Sequence, residues 1–229
     1  MASSQSVDRI PASFSPAEIA EAHLARVGGT GLARHPHLEA LLEGSRPDAG
    51  RDLADAVHLL CSLHGSHPGL IELALGHIAQ DAAHDWLAEA SDAFERERLY
   101  LVRLTAAVGP LPSTPGAAET EASLMAQRHA LEILASSERT GCALGAATAL
   151  VADWWPIRRL LDRAAVRTGL DRPAPSLPDE ASLVAIIGRS ADSASSRALA
   201  FGGEQLLLQH RALFDLLEAR ASARADWDS

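Results

Sequence analysis

The stretch Thr140–Thr168, TGCALGAATALVADWWPIRRLLDRAAVRT, decides the fold. From Cys142 to Ala152 only Thr148 interrupts an apolar run, and Gly141 and Gly145 stand four residues apart. The run is longer than a strand and shorter than the roughly 20 residues a membrane span needs. A helix that is apolar all round is buried, and small residues one turn apart let another backbone come close. The segment is therefore expected to be the central helix of an all-α bundle, kinked by Pro156 after Trp154-Trp155 and ending near Thr168.

Working outward, turn and cap signals divide the chain into about eight helices. Ser15-Pro16-Ala17-Glu18 is a capping box with proline at the first helical position, opening a helix over 15–27 that should stop at Gly28-Gly29. A short helix follows from Pro36 to near Gly44. Ser45-Arg46-Pro47-Asp48 repeats the capping logic for a helix that reaches His64 and closes at Gly65. His67-Pro68 opens a helical stretch to Gly109, in two segments meeting between Ala79 and Ser91. GPLPSTPG, Gly109–Gly116, is a rigid turn from which the next helix, 115–138, should fold back as an antiparallel hairpin. Beyond the central helix come a loop, Asp171 to Pro178, a short helix at 179–188 and a long one at 192–221, bent at Gly202-Gly203. Ser182–Ile187 is strand-like in composition, but Pro178-Asp179 ahead of it is a helix start. Residues 1–14 read as a disordered leader, 15–221 as one helical domain and 222–229 as a frayed tail.

Composition supports this class and removes much chemistry. Hydrophobic residues are 47% of the 229, yet only four Phe, four Trp and one Tyr are among them, so Leu, Ala, Ile and Val must build the core. The chain has no lysine and no asparagine, and all 20 cations are arginine. A phosphate-cradling loop that ends in lysine, a Schiff-base lysine and a kinase Lys/Asn pair are excluded. Zinc-spaced cysteines and a GxSxG turn are missing too; Cys61 and Cys142 read as buried thiols. A formal charge of −10 argues against nucleic acid as a partner. The opening residues lack the apolar stretch of a signal peptide, which points to the cytoplasm.

Polar residues that interrupt apolar stripes mark where chemistry could reside. On the arc Trp86, Ala90, Phe94, Leu101, Leu104 and Val108 falls Glu97, a carboxylate that needs Arg98, an arginine of another helix, or a metal. His210 sits on the stripe Leu199, Leu206, Leu213 and Leu217, either as a bonded core imidazole or as a ligand. His64 and His67 flank Gly65 at a helix junction, where capping competes with function. His77, Asp81 and His84 share one helical face; His77/Asp81 or Asp81/His84 together with Glu97 forms the best metal constellation, for iron, manganese or zinc, against a solvated flank as the alternative. Glu121, Arg128, His129 and Glu132 form a charged side expected to face solvent, and Gln127 intrudes on the apolar arc of the same helix.

Three stretches carry a resemblance: Leu63–Gly69 (LHGSHPG), Phe94–Leu101 (FERERLYL), and Gly109–Gly116 with Glu119 and Glu121 beyond it. They resemble an uncharacterised all-helical bacterial family over roughly residues 50–170, and the resemblance implies a fold without a function. A second resemblance is to the haem-oxygenase-like helical fold, which implies an iron-ligating His23 and a glycine-bearing distal helix at Gly141 and Gly145; the family's distal Gly-Asp-type pattern is missing around Gly145.

Two functions from different classes follow. One is a non-catalytic bundle, without a cofactor, that binds a partner protein, a second copy of itself or a small apolar ligand. The other is a metal- or haem-dependent oxidase of ferritin-like or haem-oxygenase-like type, with iron or haem as its cofactor.

Overall fold

The computed structural model describes residues 15–45, 48–78, 82–190 and 195–228. Among them are nine α-helices, one 3-10 turn and no strand, which is the all-α single-domain bundle the sequence implies. The helices are α1 (Pro16–Thr30), α2 (Pro36–Glu43), α3 (Ala49–His64), α4 (Leu70–His77), α5 (Ala82–Ala107), α6 (Ala117–Ala135), α7 (Cys142–Thr168), α8 (Glu180–Ser190) and α9 (Ser195–Trp227). The turn Leu32–Arg34 joins α1 to α2. The leader at 1–14 and the Arg46-Pro47 part of the second capping signal lie outside the described residues.

The core follows from α7. Every residue from 142 to 151 is buried, and the helix packs against every other helix among the described residues, most extensively α9. That packing depends on missing side chains. A Cβ on Gly145 would strike the backbone of Leu199, and one on Gly202 the backbone of Cys142, so the two helices meet backbone to backbone. The Gly202-Gly203 pair serves this close approach, and α9 continues across it. Helix α7 likewise runs on through Pro156, burying Trp154 completely and leaving Trp155 partly exposed.

Several boundaries differ from expectation for local reasons. The capping box at Ser15 is present, with Ser15 accepting from Glu18 N–H and Glu18 accepting from Ser15 N–H. Gly28-Gly29 does not end α1, which continues to Thr30 with both glycines on an open surface; the chain leaves the helix at Gly31. Helix α9 extends to Trp227, and Arg220 and Arg224 near its end are buried on acids of α3.

The expected hairpin is absent. Helices α5 and α6 barely touch, and α3 packs against both of them. The connecting segment is held on the way across: the His58 ring of α3 bonds the Gly109 carbonyl at 2.8 Å, and Thr114 accepts from Arg220 and Arg224. A proline-rich linker fixed at both ends carries the chain over α3 instead of reversing it, so α6 lands on α4, α7 and α9.

Candidate functional site: a buried Asp–His–His chain

Asp153 lies in the middle of α7, 1% exposed, with both carboxylate oxygens engaged. Oδ1 accepts the Leu32 backbone N–H at 2.8 Å and Oδ2 faces His210 Nδ1 at 2.7 Å. The first bond depends on the sharp exit from α1, because a side chain on Gly31 would collide with this carboxylate. His210, wholly buried on α9, places its Nε2 3.1 Å from Nε2 of His64, the last residue of α3. The His64 ring stands edge-on to Trp154, Phe94 and His210, with centroids 5.4, 6.4 and 5.1 Å away.

The partners fix the protons. An ionised carboxylate only accepts, so His210 donates from Nδ1 and, when neutral, has a bare Nε2. His64 then donates from Nε2, which leaves its Nδ1 as a bare acceptor; among the described residues no hydrogen bond reaches that atom. Burial, followed by the fields of His210 and Arg98, holds the His64 imidazole well below its ordinary pKa of 6.5. A proton accepted at His64 Nδ1 need not leave charge there. The Nε2 proton can pass to His210, and the positive charge then rests beside Asp153.

The chain ends at a crevice of about 30 Å³, lined by His64, Ser66, Pro68, Gly69 and Phe94 together with Arg128, Leu131 and Glu132 of α6. Such a space holds one or two waters but no carbon skeleton. Arg98 stacks over Phe94 at 5.6 Å, and its Nε is a buried donor without a partner among the described residues. Gln127, one turn before Leu131 on α6, likewise has a buried Oε1 with no partner among the described residues.

The other candidate residues are distributed as follows. Glu97 is 2% exposed and satisfied from α7: Arg158 Nη1 donates at 2.6 Å and Trp154 Nε1 at 3.1 Å. Burial raises its pKa, while Arg158 and Trp154 pull in the opposite direction. Trp154 thereby joins Glu97 to the ring that His64 faces. His67 lies with Glu72 and Glu95 round the Arg98 guanidinium, which bonds all three. These three are the one metal-capable group of three or more ligands among the described residues, and the arginine is the cation they surround. His77 is exposed and its Nδ1 bonds the Leu73 carbonyl, His84 stands beside Asp85, and Asp81 lies outside the described residues. His129 and Glu132 are exposed, 3.8 Å apart.

Two groups escape sequence reasoning. Asp153 falls one residue past the apolar run, and a helical wheel of α7 carried to Arg158 would have shown two ionisable groups inside a buried helix. Asp52 and Asp55 of α3 form a second buried cluster with Arg220 and Arg224 of α9, completed by Thr114 and Thr120. Acids at i, i+3 and cations at i, i+4 look like ordinary solvated faces in isolation, and only the fold pairs them.

His23, the haem candidate, is buried where α1 meets α7 and α9. Its Nε2 lies 3.1 Å from Thr148 Oγ1, and Gly203 must lack a side chain to make room for the ring. The face an iron would need is taken up by the protein's own contacts, so these residues do not fit a haem. The chain matches no curated protein and no solved structure, and the haem-oxygenase-like resemblance therefore finds no support. No helix among the described residues is long and apolar enough to cross a membrane. Two of the three stretches that resemble an uncharacterised helical family, LHGSHPG and FERERLYL, meet at the crevice beside His64. A family model extends that likeness to residues 27–225, a span holding Asp153, His210 and His64: the chain belongs to a family of unknown function (DUF6975).

Proposed function

We propose that this chain is an acid–base catalyst in which His64 abstracts a proton at the bottom of the crevice and Asp153 and His210 position it. The observation that carries the reading is the uninterrupted line from the Leu32 N–H through Asp153 and His210 to a bare His64 Nδ1. A core built from Leu and Ala gains nothing from two imidazoles and a carboxylate, and burying them costs stability unless each is bonded. Size limits the chemistry. A crevice that admits water makes hydrolysis at its mouth the natural reaction. His64 Nδ1 takes a water proton, the oxygen attacks the substrate's carbonyl carbon, and the proton returns to the leaving oxygen. Groups facing His64 are His210 from α9, Arg98 from α5, and Arg128 and Glu132 from α6.

Hydrolysis of 4-nitrophenyl acetate by the full chain tests this. His64→Gln should lower the rate by about 100-fold or more, the usual contribution of a general base. ¹⁵N imidazole spectra at neutral pH should find His64 protonated on Nε2 and His210 on Nδ1. Equal rates for wild type and His64→Gln, or the opposite tautomer at His64, would overturn the reading. A binding bundle is the second reading, favoured by a groove beside α1. The oxidase has less to draw on, since Glu97 and the His67 group already hold arginines.

A further inference from the structure

A groove of about 490 Å³ lies between α1, α7 and α8. That volume is within the range of small-molecule sites. Its floor is apolar: Leu24 and Val27 of α1, Ala152 of α7 and Leu183 of α8 are buried or half-buried. Trp155 and Val184 stand beside them, 38% and 36% exposed.

Charge indicates what this groove would hold. The only ionisable side chains lining it among the described residues are Glu21 of α1 and Glu180 of α8, both exposed. Neither has an ion pair among the described residues, and the single arginine of α1, Arg26, is bonded to Glu204 of α9. Glu180 also suits the first turn of α8, where an acid complements the helix dipole. Glu21, in the second turn of α1, has no such local role. Two carboxylates without a counter-ion round an apolar floor repel anions and favour a cation. The indole of Trp155 adds to this, since tryptophan is the aromatic side chain that attracts a cation most strongly.

Space points the same way. Gly28 lines the groove near the end of α1, and a Cβ there would meet nothing within 4 Å. Unlike Gly145 and Gly202, it permits no close contact between helices, and glycine within a helix is less stable than alanine. What the missing side chain does is keep the groove open.

We infer that the groove between α1, α7 and α8 binds a small apolar amine in its ammonium form. The hydrocarbon body lies on Leu24, Leu183 and Trp155, and Glu21 and Glu180 meet the charge. No residue of this groove belongs to the Asp153–His210–His64 chain, so the inference stands apart from the acid–base site.

Two probes of nearly equal size separate the charge from the apolar body: 2-naphthylmethylamine, a cation at neutral pH, and the uncharged 2-naphthylmethanol. Each is titrated into the full chain while the amide shifts and the Trp155 indole N–H signal are followed. At low salt the amine should bind about three- to tenfold more tightly, and the preference should shrink as salt is added. Shifts should be confined to α1, α8 and the Trp155 region of α7. Glu21→Gln with Glu180→Gln, both at exposed positions, should remove the preference and leave the affinity for the alcohol unchanged, which also shows that the variant is folded. Gly28→Leu suits the helix and fills the open space, so it should weaken both probes. Lack of binding by the amine at millimolar concentration, equal affinity for the two probes in the wild type, a preference that survives loss of both carboxylates, or shifts elsewhere on the surface would overturn the proposal.

Discussion

Two buried polar clusters join α9 to the bundle, and they are made of different chemistry. Towards the end of α9, Arg220 and Arg224 reach Asp52 and Asp55, and the guanidiniums add Thr114 and Thr120 as further acceptors. About three turns earlier on the same helix, His210 meets Asp153 and His64. Arginine keeps its charge at any pH a protein tolerates, so the first cluster is a permanent joint. A neutral imidazole has one nitrogen that donates and one that accepts, so the second can relocate a proton without moving a helix. The contrast separates a fastening from a working part, although both are equally buried.

The comparison can be broken at its strongest point first. Asp55→Ala leaves two buried guanidiniums short of their main acceptor and should lower the unfolding free energy by about 3–5 kcal/mol. Urea denaturation should return the same loss at pH 6 and pH 8, because arginine does not titrate there.

Acid should act on the imidazoles. His23 has a folded pKa near 4 against 6.5 unfolded, so between these values the unfolded chain binds the proton and the folded one does not. Stability is therefore complete above about pH 6.5 and falls as pH drops to 4, by about 3 kcal/mol from His23. His64, also depressed, adds in the same direction. Unfolding free energies measured across this window should show a slope that His23→Gln reduces. A flat profile in the wild type would mean that these rings are charged in the fold.

Asp153→Asn sharpens the contrast. An amide presents one acceptor oxygen where the carboxylate presents two, so either Leu32 N–H or His210 loses its partner, at about 1.5–3 kcal/mol. Unlike Asp55→Ala, it should also change the His210 tautomer in ¹⁵N spectra and reduce ester hydrolysis with it. Thr114→Val is the mildest test: it removes one neutral acceptor from the arginine cluster and should cost about 1 kcal/mol by urea denaturation, leaving hydrolysis unchanged.

The sequence disclosed the parts of the fold whose causes are local. The central helix was legible because glycine spacing and an unbroken apolar run state its environment directly, and the Ser15 capping box because four adjacent residues make it. The hairpin at Gly109–Gly116 was misread because the turn's local chemistry is that of a reversal, while its path is set by His58 and by two arginines about a hundred residues onward. The site was half visible. His64, His210 and Glu97 stood out as polar intruders on apolar stripes, and each is buried. What no helical wheel could supply was the pairing: Asp153 is 57 residues from His210, and His64 is 146 away from it. The arginine for Glu97 came from another helix, Arg158, while the neighbouring Arg98 turned to Glu72 and Glu95.

The arginine joint also has a consequence for the order in which the molecule is made. Asp55 and its partner Arg220 are separated by 165 residues. At ordinary rates of synthesis, about 5–20 residues per second, the acid waits on the order of 10–30 seconds for its cation. During that interval α3 carries two carboxylates that cannot be buried without their partners, and α7 lacks the helix that fits its glycine face. The early helices therefore cannot close prematurely round a finished core. A chain that stops short of Arg220 lacks both this joint and the helix that closes the glycine face of α7, and its helices are expected to pack less stably than those of the full chain.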